Sequence, residues 1–188
     1  MQLKMYRPAE LEIPVIEPPK GYTIREMRPG EEAEWCRCCI GEFGVTEASE
    51  EVYYSKMDKN KVVPSNVFFA CSGDRPVGTA TALENSPGVA YLHYIAVNPE
   101  HRGKGLTYPL ISKVLLRHRE QGRLGCFLTT DDFRIPAVKS YLKFGYLPVL
   151  LSDDARERWE RLGAILGYDR IPAFDAAMRP APDVICRK

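Results

Sequence analysis

The sequence predicts an α/β fold built around one buried central strand, and three observations carry that reading. Val89 to Val97 is an almost unbroken apolar run rich in β-branched and aromatic residues, as a strand covered on both faces requires. Beyond Asn98-Pro99 and the turn Arg102-Gly103-Lys104-Gly105, the positions Leu106, Leu110, Ile111, Val114 and Leu115 follow the spacing of a helix with one apolar face. Further on, Cys126 to Thr130, Ile135 to Phe144 and Tyr146 to Leu151 read as strand, helix and strand.

In chain order, Met1 to Lys20 is expected to be an extended, irregular arm, because Pro8, Pro14, Pro18 and Pro19 interrupt its apolar residues. Tyr22 to Met27 reads as the first strand. Pro29-Gly30-Glu31-Glu32 opens a helix expected to run through Phe43, with acids in its first turn and Gly44 at its end. Thr46 is placed to cap a second helix bearing Glu47, Glu50, Glu51, Tyr53 and Tyr54. Val67 to Ser72, the turn Gly73 to Pro76 and Val77 to Leu83 form a hairpin, and Ser86-Pro87-Gly88 turns the chain into the central strand. Three antiparallel strands therefore precede the basic turn. Asp131-Asp132 ends the strand after it, Pro136 is tolerated in the first turn of its helix, and Gly145 stops that helix. An amphipathic helix around Asp153 to Leu166 and a proline-bearing tail close a chain read as one domain, residues 1–188, with its arm at 1–20 and its C-terminal helix and tail at 152–188.

Composition narrows the function. With 188 residues, 45% hydrophobic and 27% charged, the chain has ordinary globular usage. A formal net charge of +1 gives no general attraction to polyanions, so nucleic acid is not expected as a partner. No charged and apolar leader opens the sequence and no apolar stretch approaches spanning length, so no membrane partner is expected and a cytoplasmic location follows by default. Of the six cysteines, Cys36, Cys38 and Cys39 cluster, which keeps a metal- or redox-binding protein as one alternative. They lack a second Cys or His pair at zinc spacing and any C-x-x-C, so buried thiols acting as small hydrophobes are the plainer reading, with no metal ligands assigned.

The basic turn carries the chemistry. Two cations and two residues without Cβ stand at a helix N-terminus, where unpaired N–H groups and the positive end of the dipole favour an anion, most naturally a phosphate. The pattern is not a P-loop, since Gly105 follows Lys104 where Ser or Thr belongs, and not a dinucleotide fingerprint, since Tyr108 takes the place of the third glycine. A strand ending in Val97-Asn98-Pro99 and followed by Arg102-Gly103-Lys104-Gly105-Leu106-Thr107 resembles the acetyl-CoA-binding motif of the GNAT superfamily of N-acetyltransferases, with Thr107 standing where Gly or Ala is usual. Arg134-x-x-Ala137-x-x-x-Tyr141-x-x-x-Gly145-Tyr146 is similar to the family's second pattern, with Arg134 in place of Asn.

The resemblance covers roughly Val67 to Leu151 and implies a mixed, mostly antiparallel, splayed central sheet flanked by helices on both faces. It implies acetyl-CoA as co-substrate, with main-chain groups of Ile95, Ala96 and Val97 pairing with pantetheine amides and the loop Arg102, Gly103, Lys104, Gly105, Leu106 and Thr107 holding the pyrophosphate. Arg134 is expected near the phosphorylated cofactor. The implied reaction is direct attack by an amine nitrogen of a small molecule or peptide on the acetyl carbon. Tyr141 is expected to protonate the leaving thiolate, since a phenol near pKa 10 can donate to a thiolate whose thiol pKa is about 8.5. His93 is the candidate base, on a strand face expected to include Ile95 and Val97, with Glu84 behind it. His101 and His118 read as loop and surface residues, and Asp131-Asp132 as a strand end that can rim an acceptor pocket. The acceptor would be set by Phe43 to Lys61 and the C-terminal tail, whose acids and aromatics favour a cation. A non-catalytic acyl-CoA-binding module is the other alternative. Oligomeric state is not legible, a homodimer being open to it.

Overall fold

A computed structural model describes residues 2–57, 62–123 and 125–186, with the side chain of residue 85 left aside. In chain order the elements are β1 Leu3–Arg7, β2 Tyr22–Glu26, α1 Glu32–Cys39, α2 Glu50–Met57, β3 Val67–Ser72, β4 Arg75–Ser86, β5 Val89–Val97, α3 Thr107–Glu120, β6 Cys126–Thr130, α4 Ile135–Lys143, β7 Leu147–Leu150, α5 Ala155–Leu166, β8 Arg170–Asp175 and β9 Pro180–Ile185. They fall into two compact units, one of Glu12–Leu124 and the other of Met1–Leu11 with Gly125–Lys188.

In the unit Glu12–Leu124, β2, β3, β4 and β5 pair antiparallel in that order. Alternation along β3 divides its side chains between two layers. Val67, Phe69 and Cys71 join Trp35, Cys36, Cys38, Cys39, Val45, Tyr53 and Met57 in one core beneath α1 and α2. Phe68 faces the other way, with the Arg117 guanidinium of α3 5.3 Å from its ring centre. Helices therefore cover both faces, as expected. Trp35 is wholly buried, and withdrawing an indole of this size from water contributes about 4–6 kcal/mol before the cost of ordering it.

The helix ends differ from the sequence reading. α1 stops at Cys39 rather than Phe43, because Ile40 turns to φ −54°, ψ 128° and leaves the helical region. Ser49, not Thr46, caps α2, its Oγ accepting from the Val52 N–H at 3.1 Å. His118 is buried within α3 rather than on the surface, at 2% exposure. Ser112 of α3 donates to the Pro14 carbonyl at 2.6 Å and accepts from the Ile16 N–H at 3.3 Å, so the proline-rich segment is fixed along this helix.

In the unit Met1–Leu11 with Gly125–Lys188, β1 pairs antiparallel with both β6 and β7, β7 runs parallel to β8, and β8 pairs antiparallel with β9. The expected irregular arm thus begins with a strand whose inward positions are Leu3, Met5 and Arg7. Burying a guanidinium is tolerated here because each of its nitrogens meets a carbonyl, Nε donating to Phe144 at 2.7 Å, Nη1 to Pro8 at 3.3 Å and Nη2 to Leu11 at 3.1 Å. The tail after α5 is likewise a hairpin. Pro172 and Pro182 occupy exposed strand positions, and Asp175 accepts from the N–H groups of Ala177 at 2.8 Å and Arg179 at 3.0 Å to close the turn. The architecture is mixed α/β with a mostly antiparallel sheet flanked by helices.

Candidate active site

The central strand is not regular. Thr79 lies opposite Ala96 and Thr81 opposite His93, so between these pairs one residue of β4, Ala80, faces two of β5, Tyr94 and Ile95. The extra residue makes a bulge at Tyr94, whose backbone is left-handed at φ 47°. A bulge resets the alternation beyond it. Thr79 and Thr81 share a face, so His93 shares it with Ala96, and the expected grouping of His93 with Ile95 and Val97 does not form. The hydroxyls of both threonines are buried with no hydrogen-bond partner among the described residues.

Around the bulge the rings are tightly arranged. His93 stacks on Tyr94 at 3.9 Å between centroids, and Tyr94 meets Trp35 edge-on at 5.1 Å and Phe43 at 5.3 Å. Burial alone pushes the His93 imidazolium down to about 4, so the ring is neutral at physiological pH. That removes the premise of an unperturbed histidine: the ring can accept a proton but holds it weakly. Glu84 is a poorer base than the sequence suggested. Its carboxylate accepts from the Gly88 N–H at 2.6 Å and pairs with Arg123 at 2.6 Å, contacts that hold it below the usual carboxylate range.

Beyond β5 the chain forms the expected loop. Gly103 and Gly105 have φ of 74° and 79°, a region that L side chains rarely adopt. A Cβ built on Gly103 would meet no protein atom within 4 Å, and one on Gly105 only Tyr108 Cδ2 at 3.9 Å, so the space above the turn is open. Backbone N–H groups of Gly103, Lys104, Gly105, Leu106 and Thr107 donate to no acceptor among the described residues. Five donors around two left-handed glycines, at the start of a 14-residue helix, fit a pyrophosphate. Arg102 braces the loop, with Nε donating to the Val97 carbonyl at 2.9 Å and Nη2 to Glu42 Oε1 at 3.2 Å. Lys104 Nζ stands 5.7 Å from the centre of the Tyr22 ring, whose hydroxyl lies 2.9 Å from His101 Nδ1. Gly78 keeps β4 close beneath the strand end, since a Cβ there would come within 3.0 Å of the Ala96 carbonyl oxygen.

The structure therefore brings His93, Ile95, Ala96, Val97 and the loop Arg102 to Thr107 together in one unit. Tyr141 and Arg134 belong to the other. Tyr141 is buried at 5% exposure on α4, edge-on to Tyr146 at 6.0 Å. Arg134 precedes α4, donating to Asp131 at 3.2 Å with its guanidinium 5.5 Å from the Phe133 ring centre. Asp132 pairs with Arg158, so both acids of the expected rim are engaged. Sequence reasoning placed Phe43 at the start of the acceptor segment but missed its contact with Tyr94, which depends on the register of β5 and on a loop bounded by Gly41 and Gly44. Of the acceptor segment Phe43 to Lys61, residues 58–61 lie outside the described residues. The six cysteines are all buried, and burial pushes the Cys38 thiol up to about 12 and Cys39 well above its ordinary value, so these two are protonated. Among the described residues no three His, Cys, Asp or Glu side chains gather as metal ligands, and no helix is long and apolar enough to cross a membrane.

Comparison with known proteins bears on the family and the fold. The model of the acetyltransferase (GNAT) family matches residues 31–146. N-acetyltransferase 8B of Rattus norvegicus is 37% identical over 87 residues, covering 44% of this chain and 39% of its own. A mycothiol acetyltransferase of Streptomyces bingchenggensis is 28% identical over 145 residues, covering 74% of this chain and 47% of its own. The chain thus spans less than half the length of these curated relatives. A GCN5-related N-acetyltransferase from Sphaerobacter thermophilus superposes with a TM-score of 0.67 at 22% identity, over 78% of this chain and 48% of that one, a likeness of fold.

Proposed function

We propose that this chain, which belongs to the acetyltransferase (GNAT) family, moves the acetyl group of acetyl-CoA to an amine nitrogen of a small molecule or peptide by direct attack. One observation carries the cofactor assignment: the five N–H groups from Gly103 to Thr107 that meet no acceptor among the described residues, set around two left-handed glycines at the start of α3. An anion there is held by main-chain donors and the helix dipole, with the cations of Arg102 and Lys104 beside it. The bulge at Tyr94 interrupts pairing with β4, and main-chain groups of Ile95 to Val97 would meet the pantetheine amides and polarise the thioester carbonyl.

Chemistry then needs two proton movements. The amine must be neutral to attack, and the new nitrogen–carbon bond forms as the carbon–sulfur bond breaks, so one proton leaves nitrogen and one reaches the departing thiolate. In this reading Tyr141 supplies the second. His93, held neutral by burial, accepts the first and passes it to water, a relay rather than a store. Both relatives named above carry acetyl transfer in their names, which supports the reaction class and leaves the acceptor open. The deciding experiment incubates the protein with acetyl-CoA and a panel of amines and follows thiol release. Turnover supports the enzyme, whereas tight acetyl-CoA binding with no turnover across the panel would return a binding module.

A further inference from the structure

Glu32, the first residue of α1, is a buried acid with too few partners. It is 9% exposed, yet its carboxylate accepts one hydrogen bond, from the Tyr54 hydroxyl at 3.3 Å, and pairs with no cation among the described residues. Its second oxygen has no donor among the described residues and keeps access to solvent. The neighbouring Glu31 shows what a structural acid looks like in this protein. It takes both arms of Arg25 at 2.7 Å and the Arg28 N–H at 2.8 Å. The positive end of α1 favours the negative charge but supplies no hydrogen bond to that second oxygen, which is left open to a donor from outside the chain.

A second observation lies beside it. The Tyr53 hydroxyl is buried with no partner among the described residues, and the charge on Glu32 contributes, after burial, to raising its pKa. Tyr54, Tyr53, Trp35 and Tyr94 then follow one another in edge-on contact at 5.3, 5.5 and 5.1 Å, so packed rings connect the surroundings of Glu32 to the bulge. Carboxylate, phenol and ring faces together are the chemistry that recognises an ammonium or guanidinium.

We propose that Glu32, with Tyr53 and Tyr54, holds a second, cationic group of the acceptor, so that the substrate is a diamine or another amine carrying a separate positive charge. Its neutral nitrogen is acetylated near Tyr94 while its charged end replaces the missing partner of Glu32. This rests on the acetyl-transfer reading above and adds the acceptor class to it.

The test compares linear diamines from propane to hexane with the alkyl monoamines of the same length, each with saturating acetyl-CoA and thiol release as readout. The unaltered protein should favour a diamine in kcat/KM by at least about 10-fold, the worth of a hydrogen-bonded charge pair. Glu32→Gln should bring the diamine-to-monoamine ratio toward unity, mainly through the diamine KM, and Tyr54→Phe should lower it in part. Equal use of the two series by the unaltered protein overturns the proposal and leaves acetyl transfer standing. An equal fall on both series in Glu32→Gln also overturns it, assigning Glu32 to structure. Should Glu32→Gln not fold, the native ratio and the Tyr54→Phe ratio decide. Release with neither series overturns the acetyl-transfer reading for simple amines and this proposal with it.

Discussion

Phe43 and Tyr94 meet edge-on at 5.3 Å, and both hold left-handed backbone, at φ 53° and 47°. Two aromatic residues in that region store strain, and they store it where the central strand departs from its ladder. The ring contact between them joins the loop after α1 to the bulge. The same loop sends Glu42 to Arg102, so one short segment touches both the bulge and the basic turn.

Phe43 should consequently show an inverted order of substitution. Phe43→Gly and Phe43→Ala lose the same ring, but glycine also relieves the left-handed backbone, by about 1 kcal/mol. Urea unfolding should find the glycine variant the more stable of the two. Alanine equal to or better than glycine would show that the backbone at this position is not strained.

For Gly105, replacement by Val introduces a branched side chain at φ 79° and fills the open space above the turn. The fold should survive at a cost of about 1–2 kcal/mol, since no protein atom blocks the new Cβ. Acetyl-CoA should bind at least about 10-fold more weakly by calorimetry, the loss expected when a charged group forfeits one good hydrogen bond. Unchanged affinity in a folded variant removes the pyrophosphate from this loop.

Much of this loop was legible because its signals are local. The limits of β3, β5 and β6 agree with the sequence reading, since each is a short apolar run bounded by turn residues. What escaped is non-local. Pro8 and the later prolines suggested an irregular arm, yet Leu3, Met5 and Arg7 alternate inward and become a strand once β6 and β7 flank them. Pro172 and Pro182 concealed the final hairpin, although a proline costs nothing where no ladder donor is needed. The bulge at Tyr94 exists only in the pairing of β5 with β4, and it is what moved His93 off the face shared by Ile95 and Val97. Burial of His118 followed from helix packing that its polar type argued against.

The role of His93 can be read from rates. His93→Ala should lower turnover throughout the pH range above its pKa of about 4, where the ring is neutral and able to accept, while acetyl-CoA affinity stays close to that of the unaltered protein. Normal turnover with a lowered Tm would make the imidazole a packing group only.

His118 supplies a pH dependence of stability. Its Nε2 lies 3.2 Å from the Tyr91 carbonyl and its Nδ1 3.2 Å from Arg123 Nη1, so the neutral ring donates at Nε2 and accepts at Nδ1. Burial, with Arg123 beside it, holds its pKa down at about 4. An unfolded chain binds the proton from about pH 6.5 downward and the folded chain only near 4, so this histidine's contribution is full above pH 6.5 and lost as pH falls toward 4. The loss is on the order of 3 kcal/mol. Urea unfolding across that window should show the decline, and His118→Gln should flatten part of it; an identical slope in the variant would assign the decline to other groups.

The last expectation concerns Tyr141. It is buried on α4 against Tyr146, so removing the ring would test packing as much as chemistry. Tyr141→Phe keeps the ring and deletes only the hydroxyl. If that hydroxyl protonates the departing thiolate, kcat and kcat/KM should fall together by about 10²–10⁴, the usual worth of a positioned acid, with acetyl-CoA affinity nearly unchanged. The loss should shrink with acyl donors whose thiol is more acidic, because a better leaving group needs less help. A merely structural tyrosine would leave that donor dependence unaltered and show itself in Tm. Rates are to be compared with a working acceptor under conditions where chemistry limits turnover. Undiminished turnover by Tyr141→Phe would assign the proton to water or to another hydroxyl.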